Sequence, residues 1–159
     1  MHTTIFLDFD GVVSRNHPTA SGPERLIPHA VARLDRLVSL TGARVVVSST
    51  WREMGPHTLT GWLRGAGYRG ELHGVTALSN GRDRTDDDIE LYRGAEILAW
   101  RRVRRDRGPY VVLDDLALRG HVAKRLVQAM GGWLRDEDVE RAATMLGCGT
   151  ATGTVRLAA

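Results

Sequence analysis

The sequence predicts an α/β fold: a single doubly wound domain with three layers, α/β/α, built around a mainly parallel sheet of about five strands. Two observations predict it. Short apolar runs alternate with segments that have the period of amphipathic helices, which is typical of βαβ units. Several of the apolar runs also end directly in acidic or hydroxyl residues, at the position where such sheets bind ligands. We expect residues 1–146 to form this domain and residues 147–159 to form a flexible or loosely packed tail.

The first half of the chain predicts two strands around one helix. Residues Thr3–Phe9 form a short run of branched and aromatic residues, and Gly11 then permits a sharp turn. A proline-containing loop covers Ser14–Pro28, and Pro28–Leu40 carries apolar residues at helical spacing. The nearly continuous valines of Arg44–Ser48 predict a strand that is buried on both faces, as in a parallel sheet.

In the second half of the chain, predicted strands and helices continue to alternate. For Leu126–Ala129 the pattern fits either a short strand or the end of a helix, because periodicity does not separate the two in so short an apolar run. The acidic run Asp86–Asp88 is expected to cap the helix that follows it. The other predicted elements are a helix over Thr58–Ala66, a weak strand over Glu71–Val75, a polar loop over Gly81–Asp88, a helix over Ile89–Arg105, a strand over Tyr110–Leu113 and a helix over Asp136–Leu146.

The bulk composition is that of a globular protein with one cysteine. With Cys148 alone, an internal disulfide is impossible, and the chain begins without the basic and apolar regions of a signal peptide. No apolar run approaches the roughly 20 residues of a membrane span. We therefore expect a cytoplasmic protein without membrane contact. The formal charge of +3 suits a phosphorylated partner, although the arginines of 101–107 are interpreted as a solvated helix end.

Five polar residues are predicted to converge at one edge of the sheet, because each follows an apolar strand. Carboxylates that converge repel each other unless a cation lies among them, and an all-oxygen set favours Mg²⁺. Such a centre permits an aspartate to attack phosphorus, with a second acid that protonates the leaving group and then activates water. A hydroxyl and a nearby cation would bind the phosphoryl oxygens. The five residues are Asp8, Asp10, Ser48, Asp114 and Asp115.

These motifs resemble those of a known family. Asp8–Val12, after an apolar strand, is similar to the first motif of the haloacid dehalogenase (HAD) superfamily of phosphohydrolases. Ser48 resembles the second motif and Tyr110–Asp115 the acidic fourth motif, while Ser49 is the alternative to Ser48 as the phosphate-binding hydroxyl. The third motif is usually a lysine, and Arg93, near the start of a predicted helix, is its best match.

The resemblance implies a role for each matched residue. Asp8 would be the nucleophile and a metal ligand, and Asp10 would be the general acid and base and bind the metal through its backbone carbonyl. Asp114 would ligate Mg²⁺ directly, and Asp115 would hold a metal-bound water or orient the site. Ser48 or Ser49, with Arg93, would bind the phosphate.

A narrower resemblance concerns the segment Ser48–Arg52, which is similar to a Trp-Arg segment of small capless members of the superfamily. Some of those members are associated with nucleic-acid end repair, so Trp51 and Arg52 are candidate substrate contacts. For Trp51, a packing role in the core or at the rim fits the sequence equally well. The spacing between motifs leaves no room for a sizeable cap domain. We therefore expect an open site that acts on a phosphomonoester, either a small molecule or a nucleic-acid end.

Three other functions fit parts of the pattern. A receiver-like signalling domain would place its phospho-acceptor after the third strand, whereas here the Asp-x-Asp pair follows the first strand. A catalytically vestigial binding protein would not need the full acidic set. A metal-dependent nuclease would use clustered aspartates without Asp8 as a nucleophile.

Overall fold

A computed structural model of the chain describes residues 1–16, 22–77 and 88–149. The predicted cap residues Asp86 and Asp87, most of the predicted loop Gly81–Asp88 and the tail from residue 150 lie outside the described residues. Asp88 lies at the N-cap position of the helix that follows. The five strands are β1 (Thr4–Leu7), β2 (Arg44–Val47), β3 (Leu72–Val75), β4 (Tyr110–Asp114) and β5 (Leu126–Gln128).

These strands form one parallel sheet in the order β3-β2-β1-β4-β5. The chain therefore starts in the centre, winds outward to β3 and returns to the other side of β1. This order confirms the doubly wound α/β fold. Leu126–Gln128, which was open between helix and strand, is a strand because it pairs with the end of β4.

In the described residues, four α-helices cover the sheet, and their bounds differ slightly from the prediction. The second helix begins two residues early because Pro56 occupies its first turn, where the fixed φ of proline is favourable and the missing N–H is not needed. The third helix ends before Arg104 and Arg105, the latter with a φ of 51°. The helices are α1 (Pro28–Thr41), α2 (Pro56–Gly65), α3 (Ile89–Val103) and α4 (Asp136–Met145).

The two faces of the sheet carry separate apolar cores. Ile5 and Leu7 of β1 pack on one face with residues of α1, α2 and α4, whereas Phe6 between them packs on the other face with Ile97 of α3. Alternate residues of a strand point to opposite faces, so the short β1 contributes to both cores. The three layers that result hold the carboxyl ends of the strands at one edge. Among the described helices, none has the length and hydrophobicity needed to cross a bilayer.

Candidate active site

The register of the three central strands brings the predicted motifs together. Leu7 is paired with Val47 on one side and with Leu113 on the other. The Asp8 N–H donates to the Leu113 carbonyl at 2.9 Å, and the Ser48 N–H donates to the Leu7 carbonyl at 2.9 Å. The first, second and fourth motifs therefore lie side by side at the carboxyl edge of the sheet, where α/β proteins of this kind bind ligands.

Three carboxylates form a tight cluster at this edge. Asp8, Asp114 and Asp115 each offer an oxygen within 4.8 Å of the others. Asp8 is 3% exposed and Asp114 is fully buried. Negative charges that are this close together and buried away from water repel each other strongly unless positive charge is nearby.

Arg93 of α3 supplies part of that positive charge. Its Nη1 lies 3.0 Å from Asp8 Oδ2 and 2.8 Å from Asp114 Oδ2, and the guanidinium is buried with them. The structure thus places the predicted third-motif residue inside the site. Three carboxylates and one guanidinium leave two formal negative charges, so the donor set fits a divalent hard cation.

Without a cation, the surroundings of the cluster oppose full ionisation of its carboxylates. Burial, helped by the charges of Asp114 and Asp115, raises the pKa of Asp8 well above its ordinary value, although Arg93 opposes the shift. Burial likewise raises the pKa of Asp114. Burial alone would lower the pKa of Arg93, but the charges of Asp8 and Asp114 raise it overall, so the guanidinium stays charged. A cation among the carboxylates would favour their ionised forms.

Asp10 lies outside this cluster and has its own set of donors. Arg25 Nη2 donates to Oδ1 at 2.9 Å, Ser14 Oγ donates to Oδ1 at 3.1 Å, and Trp51 Nε1 donates to Oδ2 at 3.1 Å. The side chain is 30% exposed, so it reaches solvent while its orientation is fixed. A partly open, oriented carboxylate is suitable for exchanging protons with a substrate.

The turn between Asp8 and Ser14 depends on a glycine. Gly11 has a φ of +73°, and a Cβ on it would lie 2.5 Å from Asp115 Oδ2. The Phe9 carbonyl accepts the N–H groups of residues 12, 13 and 14, which closes the turn. Any other residue at position 11 would displace a carboxylate of the cluster.

The two serines that follow β2 have different surroundings. Ser49 Oγ accepts the Trp51 N–H at 3.2 Å and also hydrogen-bonds Asp8. Ser48 Oγ is fully buried and has no hydrogen-bond partner among the described residues. A buried hydroxyl without a partner is costly, so Ser48, unlike Ser49, has hydrogen-bonding capacity that the described residues do not use.

Trp51 and Arg52, the expected substrate contacts, point into the protein. Trp51 is 1% exposed and packs against Phe9 with ring centroids 5.0 Å apart. Arg52 Nη1 donates to Glu96 Oε2 at 2.9 Å and to Thr76 Oγ1 at 2.8 Å, all buried. Both side chains make internal contacts: the Trp51 indole orients Asp10, and Arg52 connects the loop of the second motif to α3, one turn from Arg93. A contact of either residue with substrate stays a prediction.

Sequence reasoning missed two parts of the site. Arg25 and Ser14, which hold Asp10, lie in a segment interpreted only as a loop, and no pattern distinguishes Arg25 from the other arginines. The second part is the rim formed by residues 129–135 after β5. The Ala129 N–H donates to the Asp114 carbonyl and the Leu134 N–H donates to the Val12 carbonyl. The rim thus connects two motif loops, and it carries the exposed Met130 and Trp133.

Comparison with known proteins agrees with this arrangement. Residues 4–139 match the family described as "HAD domain in Swiss Army Knife RNA repair proteins". No curated protein matches the chain. The match spans the whole sheet and every motif residue described above. The chain therefore belongs to the HAD domain family of Swiss Army Knife RNA repair proteins.

Proposed function

We propose that this chain is a Mg²⁺-dependent phosphatase that hydrolyses phosphomonoesters at nucleic-acid ends through an aspartyl-phosphate on Asp8. The observation that carries the proposal is the buried Asp8 carboxylate, which lies beside two further carboxylates and the Arg93 guanidinium. The family match makes a hydrolase the expected class. Asp8, Asp114 and Asp115 would hold the Mg²⁺ that the family generally uses, and the backbone carbonyl of Asp10 would join them.

The first step would transfer the phosphoryl group to the protein. An Asp8 oxygen forms a bond to phosphorus as the ester P–O bond breaks, and Asp10 gives its proton to the departing oxygen. Bound Mg²⁺ would offset the charge of the phosphoryl oxygens and reduce their repulsion from Asp8. Arg93 and the Ser48 hydroxyl would bind the same oxygens.

The second step would release phosphate. Asp10, now a carboxylate, takes a proton from water, the water oxygen bonds to phosphorus, and the bond from phosphorus to Asp8 breaks. Inorganic phosphate leaves, Asp8 is regenerated, and Asp10 again carries the proton with which it began. The donors from Arg25, Ser14 and Trp51 all face the Asp10 carboxylate, which suits the base that this step requires.

Two features support a nucleic-acid end as the substrate. In the described ranges, no second domain covers the site: the segment between β2 and α3 contains α2 and β3, which belong to the main domain. The rim beside the site also carries Trp133, 39% exposed, with the Arg135 guanidinium 5.7 Å from its ring centroid. Exposed aromatic rings with nearby arginines are typical platforms for unpaired bases.

The test is a panel of phosphomonoesters with Mg²⁺, including 3′- and 5′-phosphorylated oligonucleotides and sugar phosphates. We expect the oligonucleotides to be preferred, Asp8→Asn to lose at least about a thousandfold in turnover, and beryllium trifluoride to bind Asp8 in crystals. Unchanged turnover in Asp8→Asn would contradict the covalent step. Cleavage inside the strand would indicate a nuclease. Turnover of sugar phosphates as fast as that of the oligonucleotides would contradict the proposed substrate class.

A further inference from the structure

The end of the sheet opposite the candidate active site contains a basic cavity. It measures about 510 Å³ and lies where the strands begin; we call it the basic cavity. Arg44, the first residue of β2, and His73 of β3 line one side. The loop 104–108, which joins α3 to β4, lines another side. No step of the proposed reaction uses any of these residues.

The charge of the basic cavity is largely uncompensated. Its acidic lining residue, Asp106, accepts hydrogen bonds from Thr4 Oγ1 at 3.1 Å and from Arg101 Nη1 at 3.0 Å, so its charge is neutralised by Arg101. Within the described ranges, Arg44, Arg105 and Arg107 have no ion-pair partner. Guanidinium groups that share a cavity without a counter-charge repel each other, and an anion would relieve that repulsion.

The loop 104–108, which carries Arg105 and Arg107, has a fixed shape. Arg105 has a φ of 51°, a left-handed conformation that costs free energy in a residue with a side chain. The Asp106 N–H donates to the Arg101 carbonyl at 2.9 Å. A Cβ on Gly108 would lie 1.9 Å from the His2 carbonyl oxygen, so the loop packs closely against the start of β1. The arginines are therefore held on a rigid support.

We propose that the basic cavity binds the phosphodiester backbone of single-stranded nucleic acid. Guanidinium groups match phosphate oxygens in geometry and charge. The half-buried ring of Trp100, which also lines the cavity with Arg104 6.0 Å from its centroid, adds an aromatic surface. A concave site of this size fits a strand better than the flat surface of a bilayer. Because these contacts carry no base-edge pattern, binding is independent of sequence and sensitive to salt.

The test measures binding of an oligonucleotide with hydroxyl ends, which offers no phosphomonoester to the active site. Fluorescence anisotropy across a salt series compares the wild type with the triple variant Arg44→Gln, Arg105→Asn, Arg107→Gln; asparagine tolerates the left-handed backbone. We expect at least tenfold weaker binding, and a salt slope reduced by about 2, since three lost phosphate contacts contribute roughly 0.7 each on single strands.

The matched control removes three positive charges elsewhere. It carries Arg36→Gln, Arg64→Gln and Arg141→Gln, which lie in α1, α2 and α4 and do not line the basic cavity. We expect its affinity to stay within about threefold of the wild type, and all three proteins to turn over a small phosphomonoester equally. Equal losses of oligonucleotide affinity in both triple variants would overturn the proposal, because the change in net charge alone would explain them. Binding of pyrophosphate without the oligonucleotide would also overturn it. Failure of the proposed phosphatase would appear only in the turnover assay.

Discussion

At the scale of single residues, the contacts of Arg93 bear on the prediction that this arginine takes the place of the usual third-motif lysine. A single nitrogen, Nη1, makes the contacts with both Asp8 and Asp114. The fork geometry that distinguishes arginine from lysine is therefore not used toward these carboxylates. What the site uses is one positively charged nitrogen at the end of a long side chain.

We therefore expect Arg93→Lys to keep kcat/KM for a phosphomonoester within about tenfold of the wild type. Arg93→Met, which keeps a flexible apolar side chain but removes the charge, should lose at least about a hundredfold, the usual cost of removing a cation or donor from the transition state. Steady-state kinetics with saturating Mg²⁺ check both, and urea unfolding shows that each variant is folded. A lysine variant as inactive as the methionine variant would contradict the single-nitrogen interpretation.

The buried indole of Trp51 leads to a second prediction at this scale. Trp51→Phe keeps an aromatic ring beside Phe9 but removes the N–H that orients Asp10. We expect kcat to fall about tenfold, the equivalent of one hydrogen bond to a charged group, with KM nearly unchanged. Trp62→Phe is the control, because Trp62 packs against Trp51 and makes no contact with Asp10. An equal fall in kcat for both variants would show that packing alone matters.

The residues of the candidate site could be predicted only where a strand or helix fixes their position. Asp8 and Asp115 follow strands and Asp114 ends one, and parallel strands necessarily bring their carboxyl ends to one edge. Arg25 was not predictable, because its place beside Asp10 depends on the path of an irregular loop. The direction of Trp51 stayed open for a similar reason: an aromatic residue after a strand can face either the solvent or the core, and the spacing of apolar residues does not decide between them.

At the scale of elements, one ion pair fixes α1 to the connection between α2 and β3. Asp35 of α1 accepts the Arg69 N–H at 2.8 Å and the Arg69 Nη2 at 2.7 Å. Burial raises the pKa of Asp35, but the hydrogen bonds and charge of Arg69 outweigh it and lower the pKa overall. A carboxyl with a lowered pKa in the folded state stabilises the fold above its unfolded pKa of about 3.9, and that contribution is lost as the pH falls through the folded value.

We therefore expect Asp35→Asn to lower the free energy of unfolding by about 1 kcal/mol at pH 7. The figure is small because the Arg69 side chain is mostly exposed. The difference from the wild type should shrink once the pH falls well below 4. Urea unfolding between pH 7 and pH 2.5 measures it, with Glu140→Gln, at an exposed position of α4, as the control. A difference that does not change with pH would exclude the ionic contribution.

Element boundaries were less predictable than element types. All the helices and strands that the pattern predicted are present in the described residues, but Thr3–Phe9 is shortened to Thr4–Leu7. The apolar pattern continues through Phe9, which is buried, although the backbone has already left the sheet to form the turn at Gly11. Hydrophobic periodicity reports burial, and burial extends beyond the strand. In Leu126–Gln128 the apolar pattern is too short to define the element, and only pairing with β4 identifies it as a strand.

At the scale of the whole molecule, the proposed active site and the basic cavity lie at opposite ends of the same strands. The five residues of β4 span about 16 Å at roughly 3.3 Å per residue. A strand that reached both sites would need on the order of five nucleotides if its bases stayed stacked, with an axial rise of about 3.4 Å per phosphate. Binding at both sites would then be linked by an effective concentration, without any new contact.

This separation predicts how turnover depends on substrate length. For a terminal phosphate, we expect KM to fall at least about tenfold between a mononucleotide and an octanucleotide, while kcat changes little, because remote contacts add binding that is equal in the ground and transition states. The triple variant of Arg44, Arg105 and Arg107 should show no such fall, and raising the salt concentration should remove it from the wild type. Initial rates on 3′-phosphorylated oligonucleotides of increasing length measure the effect. If the triple variant kept the length dependence, the extra nucleotides would be bound elsewhere, and the Trp133 rim would be the surface to substitute next.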